Sequence, residues 1–216
     1  MSFPIRARTI ALGAGAVIAL TACASNPVHY YTLVSPATSA TTTATSTTAR
    51  AAAPLAINVL PVGIPAQLDQ QQMVVRSGTG AARILDNERW VAPLGDELRA
   101  ALSSALVEQL GARNVTGLPR PSNQTVMSIR TQVRRFDAWP GSMAQFEADW
   151  VVGVQQDTPG TPGPRISCST RLNEAAPGGY ADMVRVQQRM IEQFATRIAS
   201  TVRSFGNGRP ACPADS

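Results

Sequence analysis

The residues best suited to chemistry in this chain of 216 residues are three cysteines, Cys23, Cys168 and Cys212, and a single histidine, His29. Ser-His-Asp and Cys-His catalytic groups both require a histidine, so His29 would have to serve any such site. Together with Cys168 and Cys212 it has no spacing typical of zinc ligands. We therefore expect no metal site built on histidine and no catalytic group of these two kinds.

Other catalytic patterns are equally weak. The carboxylates Glu147 and Asp149 lie two positions apart on a predicted strand, which is ordinary for a solvated sheet face. The sequence has no phosphate-binding loop of the form GxxxxGK followed by Ser or Thr, and no GxGxxG after a strand. We expect a protein that is not an enzyme and that carries no cofactor.

Cys23 is the cysteine whose context indicates a modification. It ends the stretch Leu20-Thr21-Ala22-Cys23, after an apolar run over residues 10–20 and two arginines, Arg6 and Arg8. A basic start, a short apolar segment and small residues before a cleavage point make a secretory signal, whereas a membrane-spanning helix needs about 20 apolar residues. The ending resembles a bacterial lipobox, in which the cysteine is acylated and the chain is cut just before it. We expect residues 1–22 to be a signal peptide and Cys23 to be the lipidated first residue of the mature protein.

The remaining cysteines, Cys168 and Cys212, form an even pair, which in an oxidising periplasm is compatible with a disulfide. The Gly/Pro-rich tail around Cys212, at residues 206–216, weighs against the bond because such a tail can be disordered. Thiol labelling without reductant distinguishes the two cases.

The charge of the chain indicates no nucleic-acid partner. All 19 basic residues are arginine, and removing the signal peptide with Arg6 and Arg8 lowers the formal charge from +5 to +3. Nucleic-acid binding requires a clustered basic surface, which these scattered arginines do not supply.

Strand signals recur along the mature chain. Aromatic and β-branched runs and period-two alternation predict strands at residues 29–34, 55–60, 72–76, 82–86, 125–137, 145–155 and 165–172. Residues 35–53 are almost wholly Thr, Ala and Ser, and we expect a flexible loop there because no large apolar side chain offsets the entropy of ordering it.

Two helices are predicted. Apolar residues at helical spacing run from Leu94, with Pro93 in the first turn and Gly111 as the stop. Residues 180–205 carry a broad apolar face opposite arginines. Packing of this second helix on a sheet is favoured over binding along a membrane surface, which is the other location typical of a basic amphipathic helix.

These stretches together resemble the ABC-type transport auxiliary lipoprotein family, the PqiC/YmbA group. The resemblance rests on the lipobox cysteine followed by Tyr30-Tyr31-Thr32-Leu33, on residues 57–62 with Leu68-Asp69, on residues 87–94, and on the terminal amphipathic helix. The long Thr/Ala/Ser insertion departs from the family pattern. The motif residues, which are structural or contact a partner, are Tyr30, Tyr31, Leu33, Arg89, Trp90, Pro93 and Leu94. For Arg89, Trp90 and Pro93 a packing role is favoured.

The resemblance implies an α/β fold: a single domain over residues 29–205, with a mixed β-sheet and two main amphipathic helices packed on it. This architecture is anticodon-binding-domain-like and similar to the TolB amino-terminal domain. It also implies a non-catalytic role beside an ABC transporter permease and ATPase and an MCE-domain protein that move lipids between membranes, with a homo-oligomeric ring in some members. Ala24 after Cys23 resembles lipoproteins sent to the outer membrane, where the domain would face the periplasm.

An alternative of another class is a lipid-anchored envelope integrity or assembly factor that binds a protein or cell-wall partner without a transporter. An envelope hydrolase is a more remote alternative. In every case the tether is short if residues 30–34 form a strand of the domain. Only residues 24–28 then separate the lipid from the body, and five residues span at most about 18 Å.

Overall fold

The computed structural model describes residues 26–36, 55–121, 124–156 and 163–213. The predicted signal peptide, Cys23 and nearly all of the Thr/Ala/Ser segment lie outside these described residues. The strands, numbered in chain order, are β1 (His29–Tyr31), β2 (Ala56–Val59), β3 (Gln72–Ser77), β4 (Ala81–Trp90), β5 (Arg113–Asn114), β6 (Val126–Trp139), β7 (Ser142–Val154) and β8 (Arg165–Ala176). The helices are α1 (Leu94–Leu110) and α2 (Tyr180–Gly206), with a short 3-10 turn at Ala66–Leu68.

The strands form two mixed sheets. The larger has the order β5-β2-β6-β7-β8, in which β2 runs parallel to both β5 and β6, and β6, β7 and β8 run antiparallel. The smaller has the order β1-β4-β3, with β1 parallel to β4 and β3 antiparallel to it. The single mixed α/β domain is thus confirmed, and it carries two sheets where one was expected.

The long strands of the larger sheet follow from their alternation. Along β7 the residues Ala144, Phe146, Ala148, Trp150 and Val152 are buried, and the residues between them are only partly so. This is the pattern of a strand with one face against a core. The helix α2 packs on β7 and β8 and also on α1, so the arginines opposite its apolar face remain at the surface. The packed-helix interpretation is therefore confirmed.

A row of aromatic rings joins the two sheets to α2. Trp90 of β4 lies 6.5 Å from Phe136 of β6, ring centre to ring centre, and Phe136 lies 6.3 Å from Phe146 of β7. Phe146 in turn lies 5.0 Å from Phe194 of α2, and Phe194 lies 6.1 Å from Trp150. Tilted and edge-on pairs at these distances add to the energy of burial. One continuous core therefore supports both sheets.

Several boundaries differ from the sequence prediction. The strand predicted at 82–86 runs four residues further, to Trp90, which is 3% exposed and pairs in register with Tyr31. The strand β1 stops at Tyr31 rather than at residue 34, because residues 32–35 turn away to contact the helices. Pro93 precedes α1 as its N-cap instead of lying in the first turn. Gly111 ends α1 in the left-handed conformation, with φ of 58°, which glycine adopts without strain.

Candidate functional site

The described residues hold no cluster of three or more His, Cys, Asp or Glu side chains that could bind a metal. Within the same part of the chain, no helix is long and apolar enough to cross a membrane. His29 contacts Glu88 across β1 and β4, with 3.0 Å between Nδ1 and Oε1, and 55% of its side chain is exposed. This arrangement joins two neighbouring strands at the protein surface.

The most organised polar site lies where the N-terminal segment meets α1. The Glu97 side chain, 5% exposed, accepts three hydrogen bonds. Thr32 Oγ1 donates to Oε2 at 2.7 Å, the Leu33 amide donates to the same oxygen at 2.9 Å, and the Ala92 amide donates to Oε1 at 3.2 Å. Glu97 lies in the first turn of α1, where the helix dipole favours an acidic side chain. The carboxylate therefore joins the N-terminal segment, the end of β4 and the start of α1.

The second helix holds the same segment from the other side. Gln188 of α2 donates its Nε2 to the Thr32 carbonyl at 2.9 Å, and Ser35 Oγ donates to Glu192 Oε1 at 2.5 Å. Leu33 is 1% exposed and belongs to the main core. We call this set the N-terminal clamp: Thr32, Leu33, Ser35, Glu97, Gln188 and Glu192. It ties the chain to both helices from nine residues after the predicted lipid anchor at Cys23.

The two neighbouring tyrosines of β1 have different environments. Tyr30 pairs in register with Arg89 and is 61% exposed. Tyr31 pairs with Trp90 and packs against the core. Burial raises the pKa of the Tyr31 phenol to about 12, with a contribution from the negative Glu88 carboxylate beside it. Because side chains alternate along the strand, Tyr30 lies at the surface and Tyr31 packs against the core.

The other motif residues lie at the passage from β4 to α1. Trp90 and Leu94 are buried, whereas Pro93 is exposed and its carbonyl accepts hydrogen bonds from the Asp96 and Glu97 amides. Arg89 donates its Nε to the Asp86 carbonyl at 2.9 Å. Trp90 and Leu94 therefore pack in the core on either side of the helix entry, and Pro93 contacts the first turn of α1 through its carbonyl.

The two remaining cysteines meet at the opposite end of α2. A disulfide joins Cys168 of β8 to Cys212 of the tail, with 5.7 Å between their Cα atoms. The tail also bonds back to α2, because Thr201 Oγ1 donates to the Ala211 carbonyl at 2.9 Å and the Ala211 amide donates to Ser204 Oγ at 3.1 Å. Residues up to 213 are thus fixed against the body instead of extending from it.

A cleft of about 660 Å³ opens beside this tail. It is lined mainly by apolar side chains from α1, β6, β7, α2 and the residue before β2, among them Leu55, Leu110, Met127, Val154 and Phe205. Arg203 lies at the cleft and donates its Nη2 to the Gln109 carbonyl at 2.6 Å. The sequence prediction missed this cleft because its walls come from segments that are far apart in the chain.

Glu97 was also missed. The signal that could have found it is an acidic residue in the first turn after Pro93, a common position for a helix N-terminus. Its hydrogen-bond partners Thr32 and Leu33 lie 65 and 64 residues away in sequence, so their identity follows only from the fold.

Comparisons with known proteins agree with this architecture. A family model described as the ABC-type transport auxiliary lipoprotein component matches residues 31–199. A crystal structure of an uncharacterised protein superposes with a TM-score of 0.60 at 21% identity, covering 82% of this chain and 99% of that one. A Xanthomonas campestris protein of family DUF330 has a TM-score of 0.49 at 14% identity, covering 72% of this chain and 86% of that one. A search of curated proteins found no significant match.

The family match begins at Tyr31 and ends at Ala199, so it contains β2 to β8, α1 and most of α2. It includes the N-terminal clamp and the whole passage from β4 to α1. The chain belongs to the ABC-type transport auxiliary lipoprotein family.

Proposed function

We propose that this chain is the non-catalytic subunit that docks an ABC-type lipid transport system containing an MCE-domain protein at the outer membrane. The family match supports an association with an ABC transport system and a place in the cell envelope. The Leu-Thr-Ala-Cys sequence at residues 20–23, followed by Ala24, supports lipidation and sorting to the outer membrane.

The observation that carries the proposal is the N-terminal clamp. Glu97, Gln188 and Glu192 hold residues 32–35 on the two helices, directly after β1. Residues 24–28 are then the only link between Cys23 and β1, and five residues reach at most about 18 Å. A domain held this close to its anchor suits a role in fixing a periplasmic assembly at a membrane surface.

The anchor is tested on the N-terminal peptide of the protein purified from solubilised envelope. We expect mass spectrometry to show a mature chain that begins at Cys23 and carries acyl groups. We also expect the protein to sediment with outer-membrane fractions on a density gradient. An unmodified Cys23, or recovery with the inner membrane, would contradict this part of the proposal.

The partner is tested by mild crosslinking in cells followed by pull-down and identification of the captured proteins. We expect an MCE-domain protein, encoded beside an ATPase and a permease. A Cys23→Ala variant, released from the membrane, should capture less of it because the two proteins would no longer share a surface. Capture of a cell-wall or assembly partner, with no transporter genes nearby, would favour the envelope integrity function instead.

Ring assembly is a further part of the proposal. The acylated protein in detergent should give a mass several times that of one chain when measured by light scattering after size-exclusion chromatography. A monomer at all concentrations would contradict a ring.

The proposal of no enzymatic role fails if the purified protein turns over phospholipid or peptidoglycan and a point mutation abolishes that turnover.

A further inference from the structure

Exposed apolar side chains are concentrated on the outer side of β1. Large hydrophobic residues exposed within the described part of the chain are Val28 (41%), Tyr30 (61%), Ile84 (59%), Val91 (58%) and Leu118 (67%). Three of the five, Val28, Tyr30 and Val91, belong to β1 or to the residues that flank β1 and β4.

The strand register places these three residues on one face. Tyr30 lies beside Arg89, and the Val91 amide donates to the Tyr31 carbonyl, so Val91 continues the pairing by one residue. Alternate residues of a strand share a face, so continuing β1 backwards and β4 forwards by one residue each places Val28 on the side of Tyr30 and Val91 on the side of Arg89. Trp90 and Tyr31 point the other way, into the core. We call Val28, Tyr30, Arg89 and Val91 the β1 face.

We infer that the β1 face rests on the bilayer surface, with Tyr30 and the two valines in the headgroup region and Arg89 directed at lipid phosphates. This inference relies on the proposed lipid anchor at Cys23. Residue 23 precedes Val28 by five positions, so an acylated cysteine holds Val28 within about 18 Å of the membrane interior.

The chemistry of the face fits a membrane interface. Tyrosine has an apolar ring and a polar hydroxyl. It is enriched at interfaces where the ring contacts apolar groups and the hydroxyl contacts water. Arginine extends its aliphatic stem along apolar surroundings and keeps its charged end in water or among phosphates. An amphipathic helix at a membrane interface buries its apolar face about 5–10 Å into the boundary between headgroups and acyl chains, and we expect a similar depth for the β1 face.

The size of the face argues against a second protein as its occupant. A stable protein interface buries about 800 Å² on each partner, more than three partly exposed side chains offer. A bilayer needs no such area, because the acyl chains on Cys23 already supply the affinity.

The test uses the full chain, purified in its acylated form and reconstituted into vesicles of phosphatidylethanolamine and phosphatidylglycerol. A thiol-reactive NBD dye is attached to Tyr30→Cys, or to Val91→Cys if the first variant does not fold. The matched control is Leu118→Cys, which replaces an equally exposed apolar residue in the turn after β5. The unsubstituted chain measures any labelling of Cys168 and Cys212, whose sulfurs are joined.

Brominated lipids should quench the dye at position 30 or 91 by about twofold or more and leave the dye at position 118 unaffected, since only side chains at the interface come within reach of the bromines. Equal quenching at both positions, or none at position 30, would overturn the inference. A signal that depends on protein concentration and not on brominated lipid would also overturn it and assign the face to a second copy.

Mass spectrometry of the N-terminal peptide separates this inference from the anchor. An acylated chain whose position 30 is not quenched contradicts the β1 face alone. A chain with unmodified Cys23 that fails to bind vesicles contradicts both the anchor and the face.

Discussion

Glu97 shows how one buried side chain determines the path of the N-terminal segment. Its two oxygens accept hydrogen bonds from Thr32 and Leu33, which follow β1, and from Ala92, which follows β4. Hydrogen bonds to a charged acceptor are stronger than neutral ones, and an amide left without a partner in the interior incurs a desolvation cost. The loss of this carboxylate therefore affects both the segment and the helix.

We predict that Glu97→Ala lowers the free energy of unfolding by about 3 kcal/mol, because the Leu33 and Ala92 amides lose their acceptor. Urea denaturation of the purified protein measures the change. Asp96→Ala, at an exposed position in the same first turn, is the control and should alter the value by less than about 0.5 kcal/mol. Equal losses in the two variants would show that Glu97 acts only through the helix dipole.

Tyr31 gives a prediction about pH. Its pKa is 10.0 in an unfolded chain and about 12 in the folded protein, so folding favours the neutral phenol. The corresponding stability is fully present below pH 10 and is lost as the pH rises from 10 towards 12. Ultraviolet absorbance titration should show a phenolate component near pH 12 that is missing in Tyr31→Phe. In Glu88→Gln this component should move to lower pH. If the component lost in Tyr31→Phe instead lies near pH 10, the assignment is refuted.

At the scale of elements, the sequence could predict what depends on local periodicity. The strands β6, β7 and β8 and both helices follow from alternation or from helical spacing, because each has one face in the core. Sheet order and the parallel pairing of β1 with β4 depend on contacts between residues about 60 positions apart, such as His29 with Glu88. No local pattern encodes them, and the second sheet went unpredicted for that reason.

The N-terminal clamp could likewise be predicted only in part. The aromatic run at residues 29–33 could be identified as an ordered segment that begins with a strand, close to the predicted anchor, and Leu33 proved to be a core residue. Gln188 and Glu192 could not be recognised as its partners, because on a helical projection they are ordinary polar residues beside the apolar face of α2.

The disulfide gives a prediction for the C-terminal tail. Cys168 and Cys212 are 44 residues apart, and closing a loop of that length in the unfolded chain corresponds to about 4 kcal/mol of stability on a chain-entropy estimate. Cys168→Ser with Cys212→Ser should therefore lower the free energy of unfolding by a few kcal/mol in urea denaturation. The single variant Cys212→Ser should lower the free energy of unfolding by about as much, because it also breaks the bond. Two reactive thiols in the unreduced protein would mean that the bond does not form.

At the scale of the whole molecule, the core and the N-terminal clamp make one unit of two sheets and two helices. The aromatic row runs from Trp90 in the smaller sheet to Phe194 in α2, and Arg76 of β3 pairs with Asp137 of β6 at 2.8 Å. We therefore expect the two sheets to unfold together in a single cooperative transition.

A further prediction for the whole molecule concerns the Thr/Ala/Ser segment. Both of its flanks face α1 across a cavity: Ser35 lines a small cavity with Ala101 and Glu108, and Leu55 lines the apolar cleft with Leu110. We predict that replacing residues 37–53 with a short Gly/Ser linker preserves the circular dichroism spectrum, the urea midpoint and membrane attachment. Keeping Ser35 in this variant retains its bond to Glu192. A large loss of stability would show that the segment contributes to the folded core.

The N-terminal clamp also has a mechanical meaning. With the proposed lipid anchor at Cys23 and a partner held by the domain, a pull between the membrane and that partner would enter the body through β1, a three-residue edge strand that runs parallel to β4. Beyond β1 the load passes to Leu33 in the core and to the Glu97 carboxylate, which spreads it onto both β4 and α1. The first part to yield under tension is then the pairing of β1 with β4, and the domain stays folded while Glu97 keeps its hold on Thr32 and Leu33.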